Sequence, residues 1–246
     1  MGNIVVRLGD PSQQWWHVNG MNPDVDSGAE DIWNGGGAYP FPAAAAATTI
    51  VSGSAADDGA PVGTGARTVQ VIGLDADLRM VSETVTMDGT TPVALSNALF
   101  RLLRARVVTA GSNGTNVGVI NVKHGATNLC AMPTTPGLGR THIGVFTVPA
   151  TDFGGGAFAG AYIVDWGATI ADASANTVAR VRLDIRPSGG AWETVDMCSV
   201  VSGQAFHNGF GGAVALAAGT DIRLHCIDVT SANSTVTGHI DVVLLK

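Results

Sequence analysis

Charge is scarce in this sequence. Asp, Glu, Lys and Arg make up 13% of its 246 residues, about half of the roughly 25% usual for soluble domains. A free monomer normally intersperses both signs over its surface to prevent self-association. A surface dominated instead by Thr, Ser, Ala and Gly points to one that partners cover. The shortage also excludes a class of partner. With 13 basic against 20 acidic residues, and the arginines spread along candidate strands, there is no concentrated basic face to neutralise phosphates, and no nucleic-acid partner is expected.

Long apolar runs are lacking as well. The densest stretch, Ala43–Ala47, is bounded by Pro42 and Thr48 and falls far short of the roughly 18 residues that a membrane-crossing helix needs, so no membrane partner is expected. The first twenty residues, MGNIVVRLGDPSQQWWHVNG, have no basic head followed by an apolar stretch and a small-residue cleavage site. A signal peptide is therefore not expected, and the chain is read as made in a cytosol. Cysteine is limited to Cys130, Cys198 and Cys226, an odd number at irregular spacing, which fits reduced core thiols better than a disulfide framework.

What the sequence has in abundance is glycine, 33 residues, nearly twice the usual ~7%. With Asn, Asp, Pro and Ser it divides the chain into short β-branched runs. Strands are expected at 48–52, 68–74, 82–87, 117–122, 142–148, 161–166, 178–186, 192–201, 222–229 and 235–245. The clearest is Ala179–Arg186, apolar at odd positions and charged at even ones, the period of a strand with one buried face. It runs through Pro187-Ser188-Gly189-Gly190 into Trp192–Asp196, which reads as a hairpin. The segments 222–229 and 235–245 read as a closing antiparallel pair. The end of the second, apolar on both faces, marks it as central or covered. Ser96–Arg104 fits a capped helix, or a strand with a bulge near Leu103; the surrounding strands favour the latter. The expected fold is all-β, an antiparallel β-sandwich or jelly-roll-like structure with an extended N-terminal arm over 1–45. The sandwich spans 46–246, in one body or in lobes 46–149 and 150–246.

No motif assembles an active site. Asp24, Asp26, Glu30 and Asp31 crowd around Gly28, partly as an oxygen-rich calcium loop would, but the full spacing fails, and a turn-rich acidic loop is the expectation. Sequence proximity alone does not place Asp24 or Asp26 opposite another acid, as a glycosidase requires. The six histidines show no paired metal spacing and read as polar strand or loop residues. There is no G-x-S-x-G elbow, and neither Gly35–Gly37 nor Gly154–Gly156 leads into a phosphate-binding helix. No catalytic residue, cofactor or metal site is expected. Aromatics are only 6% of the chain, yet Trp15, Trp16, Trp33, Tyr39 and Phe41 gather near its start, where they either pin that segment to its own sandwich or anchor a partner.

Three long phrases carry a resemblance: HVNGMNPDVDSGAEDIWNGGGAYPFP, GTGARTVQVIGLDADLRMVSETVTMDGTTPV and GSNGTNVGVINV. Over roughly 17–150 the chain resembles virion structural proteins of tailed phages, particularly short-tailed ones. Gly219–Arg223 resembles jelly-roll head proteins more loosely. The resemblance implies a β-sandwich or jelly roll without catalytic residues. It further implies a homotrimer made in the host cytoplasm that decorates and cements the capsid surface, with the major capsid protein as partner. Trp15, Trp16, Asp24, Asp26 and Trp33 are the expected contact residues. Two alternatives belong to other classes. One is a tail- or head-fibre-associated adhesion module that holds host glycans in loops such as 154–158 or 204–212. The other is an enzyme degrading cell-surface polysaccharide.

Overall fold

The computed structural model describes residues 10–26, 28–134, 139–171 and 176–246, with the backbone alone at 211–213. Every regular element among them is a strand. In chain order these are β1 (Gln13–Val25) and β2 (Glu30–Asp31); then β3 (Thr48–Ser52), β4 (Ala66–Leu74), β5 (Met80–Thr86), β6 (Val93–Ala94), β7 (Arg101–Ala110), β8 (Ile120–His124) and β9 (Thr127–Met132); and finally β10 (Val145–Thr147), β11 (Gly160–Ala171), β12 (Val178–Arg186), β13 (Glu193–Val201), β14 (Ala205–Leu216), β15 (Asp221–Val229) and β16 (Ser234–Leu245). The chain divides into two compact units, 39–143 and the combined flanks 1–38 and 144–246. The boundaries expected at 45 and 149 thus fall at 38 and 143. Nor do residues 13–25 form a separate arm; residues 1–9 of the expected arm lie outside the described residues. Trp16, Val18 and Val25 bury one side of β1, and the strand pairs antiparallel with β16 from Gln13↔Leu245 to Val25↔Ser234.

In the flanking unit one sheet runs β1-β16-β11-β14 and the other β10-β15-β12-β13, with β2 also paired to β15. All pairings are antiparallel. Apart from the β12–β13 hairpin, each step from β10 to β16 crosses from one sheet to the other, which is jelly-roll topology and fulfils the expected fold class. The expected closing pair is corrected on this point: β15 and β16 are consecutive in sequence but lie in opposite sheets. Between them Asn233 takes a left-handed φ of 61°, a conformation that Asn tolerates.

The core of this unit follows from period-two alternation. Trp166, Ile240 and Val242 of one sheet and Val181, Leu183 and Leu224 of the other are buried, and the Trp16 and Phe146 rings meet at 5.7 Å. A Cβ on Gly20 would lie 2.5 Å from the Ile32 carbonyl oxygen and 2.6 Å from Gly144 Cα. The glycine therefore permits close backbone approach and does not mark a turn. Trp166, fully buried, donates from Nε1 to Asp196 at 2.9 Å, the partner that a core indole requires.

The polar face of β12 does not simply meet water. Asp184 is buried and receives Thr194 Oγ1 at 2.8 Å, with Arg182 at 2.9 Å and Arg223 at 3.0 Å. Arg223 also reaches Asp31 at 3.2 Å, Arg186 reaches Asp221 at 2.6 Å, and Trp192 lies against both arginine planes. Opposite charges fold onto one another over this sheet, so its few ionic residues largely satisfy themselves.

The middle unit has sheets β6-β3-β8-β9 and β5-β4-β7. Between Ile72↔Arg104 and Gly73↔Leu102 the register skips Leu103, the expected bulge, which lets Leu102 and Leu103 both be buried. Ser96 and Asn97 precede β7 in a loop held by Glu83, which accepts from both backbone amides and both side chains. Burial alone would raise the Glu83 carboxyl, but these bonds outweigh it and hold it below the ordinary glutamate range. Asp57, fully buried, accepts from Ser52 Oγ at 2.5 Å, Ala66 N at 2.7 Å, Val117 N at 2.8 Å and Gly118 N at 2.9 Å.

Two outcomes are expected. Asp57→Ala strands three amides and a hydroxyl, and lowers unfolding free energy by about 3 kcal/mol or more in urea titrations. Because the Glu83 value is depressed, its contribution is present above the ordinary value of 4.5 and disappears as pH falls through the folded-state value. Glu83→Gln therefore flattens the acid limb of a stability-against-pH curve.

Candidate functional site

The expected contact residues separate into two groups. Trp15 is 42% exposed on β1, and Asp24 and Asp26 are exposed. Trp16 and Trp33 are 6% and 5% exposed, and this corrects their place among surface anchors. Trp16 packs on Phe146, while Trp33 lies over Gly35 and donates from Nε1 to Gly37 O at 3.2 Å. Both indoles are core of their own unit.

In the acidic segment 24–31, Glu30 and Asp31 turn to separate partners. Glu30 turns back to accept from Asn22 Nδ2 at 3.0 Å, Asp26 N at 3.1 Å and Gly37 N at 2.8 Å. Burial alone would raise its carboxyl, but those bonds hold it below the usual range. Asp31 points the other way, fully buried beside His225 at 2.6 Å and Arg223 at 3.2 Å. These carboxylates hold the loop and join it to β15.

The cysteines behave as core residues. All three are free and buried, and burial pushes the Cys130 and Cys226 thiols up to about 12 and Cys198 to about 11. Cys198 and Cys226 both lie opposite Val181, on strands either side of β12. Their backbones are thus about 10 Å apart, too far for a disulfide.

A cluster of chemically competent side chains lies elsewhere, on the outward face of the β1-β16-β11-β14 sheet. Gly167 of β11 is the register partner of His207 on β14 and of His239 on β16. The strands carrying these histidines are about 10 Å apart, yet their ring centroids are 4.7 Å apart. Gly167 makes this approach feasible: a Cβ there would sit 2.5 Å from His239 Cε1. Two residues earlier on the same face, Asp165 accepts from His239 Nε2 at 3.0 Å and lies 3.5 Å from His207 Nδ1. His17 extends the row from β1, stacking on His239 at 5.5 Å and sharing a 2.5 Å hydrogen bond with Asp241. Among the described residues, one donor atom each from Asp165, His207 and His239 converges within 4.8 Å. The sequence shows no such spacing, because cross-strand register assembles the group.

Residues 204–212, expected as an exposed ligand loop, lie for the most part in β14. Residues 154–158 remain a loop, closed by the Thr151↔Ala157 bridge and by Asp152 accepting from Gly154 N and Gly156 N.

No protein-family model and no curated protein matches the sequence. Among solved structures, the VP2 subviral particle of infectious bursal disease virus is 11% identical, with 98% of this chain and 74% of that chain covered and a TM-score of 0.25. The Gt strain structure of the same virus is 12% identical, with 95% and 73% covered and a TM-score of 0.25. The PBSX exported protein XepA is 10% identical, with 93% and 84% covered and a TM-score of 0.21. Likeness at this level carries no argument about function.

The two neighbouring tryptophans provide a direct check of the burial pattern. Trp16→Ala is expected to cost about 3–5 kcal/mol of stability, whereas Trp15→Ala stays within about 0.5 kcal/mol, both read from chemical denaturation.

Proposed function

We propose that this chain is a non-enzymatic structural component of a tailed-phage virion. In this reading it is made in the host cytoplasm and assembles as a homotrimer. The trimer decorates the capsid surface, contacts the major capsid protein and cements the shell. Jelly rolls serve capsid, lectin and cupin proteins alike, so fold alone does not choose among these uses. The observation that favours assembly is the character of one sheet's edges.

Among the described residues, β1 and β14 each pair on one side only. They span 13 and 12 residues, and Asp24 carries the only formal charge on either, as their sequences QQWWHVNGMNPDV and AFHNGFGGAVAL read. Proteins that remain monomeric protect long edges with Lys, Pro, bulges or short strands. Here Pro23 and a register shift at Asn22/Val25 interrupt one end of β1, and a register shift between Gly209 and Val214 interrupts β14, while Lys is absent from both. Long, uncharged edges suit association with further copies or with shell subunits, in accord with the low overall charge and the sequence resemblance. Trp15 near the start of β1, and Asp24 and Asp26 about 30 Å away at its far end, are the contact residues in this reading. Three-fold repetition lets modest contacts add, and binding only to the assembled shell stabilises that shell by mass action.

Sedimentation or light scattering of the purified chain is expected to give a trimer, with Trp15→Lys shifting it towards monomer without loss of folding. Added to undecorated particles, the protein is expected to bind at a defined lattice position and raise their heat tolerance. A monomer that leaves particles unchanged at saturating concentration, or that binds host cells instead, rejects cementing and favours the adhesion alternative.

A further inference from the structure

We propose that Asp165, His207 and His239 form a binding site for a divalent transition-metal ion of the zinc class on the outer face of the β1-β16-β11-β14 sheet. This inference is independent of the assembly role.

Three features of the cluster carry it. The first is spacing. A zinc-class ion binds imidazole nitrogen and carboxylate oxygen at about 2.0–2.1 Å in tetrahedral geometry, which places ligand atoms about 3.3–3.4 Å apart. The observed separations from Asp165 Oδ1 are 3.0 Å to His239 Nε2 and 3.5 Å to His207 Nδ1. The longer is outside good hydrogen-bonding range but fits the edge of a coordination tetrahedron. All three donor atoms already lie within 4.8 Å, so closing the remaining edge takes only a small rotation of His207, whose side chain is 65% exposed.

The second is the backbone beneath. Gly167 sits between the two histidines in register, and any side chain there would collide with His239. A simple polar surface does not need that vacancy. Two imidazoles do, if they are to lean from strands either side of β11 towards one point.

The third is ligand chemistry. Two imidazoles and one carboxylate select Zn²⁺, Co²⁺, Ni²⁺ or Cu²⁺ over Ca²⁺ or Mg²⁺, which prefer oxygen-only sites. On binding, the ion takes the place of the hydrogen bond between His239 Nε2 and Asp165, its proton passing to Nδ1 or to solvent, and three protein ligands leave a fourth position for water or an incoming group.

The test uses the full-length, untagged chain after chelator treatment, titrated with Zn²⁺ by calorimetry and with Co²⁺ by visible absorption. The expected result is one ion per chain, with Co²⁺ bands of a low-symmetry nitrogen and oxygen site that Zn²⁺ displaces. His207→Ala, whose truncation leaves the core untouched, is expected to weaken binding by about 100-fold or more, above the range typical of second-shell changes. Asp165→Asn is expected to weaken it as well. His124→Ala, which removes a histidine of the middle unit held against Ala44 O, is expected to bind as the parent does. Absence of saturable binding in the micromolar range, or equal affinity in a folded His207→Ala protein, overturns the site.

Discussion

The ladder between the two ends of the chain holds the larger unit together. β16 pairs with β1 on one side and with β11 on the other, while Val236, Ile240, Val242, Val243 and Leu244 are fully buried. One strand thus supplies backbone hydrogen bonds to two neighbours and apolar surface to the interior. Its apolar end is read from sequence as a central position, and this is where the structure places it. Pairing Gln13 with Leu245 closes almost the whole chain before it is rewarded, a strongly non-local arrangement of the kind associated with slow folding. The same placement leaves β1 and β14 as the two margins of the sheet.

Much of the fold is legible from side-chain periodicity. The β12–β13 hairpin follows from Ala179–Arg186 and its Gly-rich turn, and the bulge at Leu103 follows from apolar residues that no single face accommodates. β1 and β14 escape that reading because Gly20, Pro23, Gly209, Gly211 and Gly212 break the pattern and imitate loops. At Gly20 the cause is physical: the Ile32 and Gly144 backbones occupy the space of a side chain. Sheet assignment is equally hidden, since alternation reveals a strand but not its neighbour, and β15 and β16 look like a hairpin until topology separates them.

The candidate site is less legible. Asp165, His207 and His239 stand far apart in sequence, and their convergence depends on three register relationships and one absent side chain. The acidic run Asp24–Asp31 looks more promising on paper, yet Glu30 turns to the backbone amides of Asp26 and Gly37, and Asp31 to Arg223 and His225. Tryptophans are similarly ambiguous: adjacent Trp15 and Trp16 face opposite sides of one strand, so one is surface and the other interior. The shortage of charge over the whole sequence, by contrast, reappears in the structure on the two long edges, β1 and β14.

The middle unit is a detour in the path of the chain. Gly144 N donates to Ile32 O at 2.8 Å, and β2 and β10 both pair with β15, Asp31 opposite His225 and Val145 opposite Arg223. The polypeptide leaves the jelly roll and returns to it at nearly one spot, as though a single strand had been cut and its halves left in place. Lengthening or shortening such an excursion changes closure entropy only logarithmically and shifts no ladder in the surrounding sheets. Frame and insert can therefore diverge at different rates, each under its own selection.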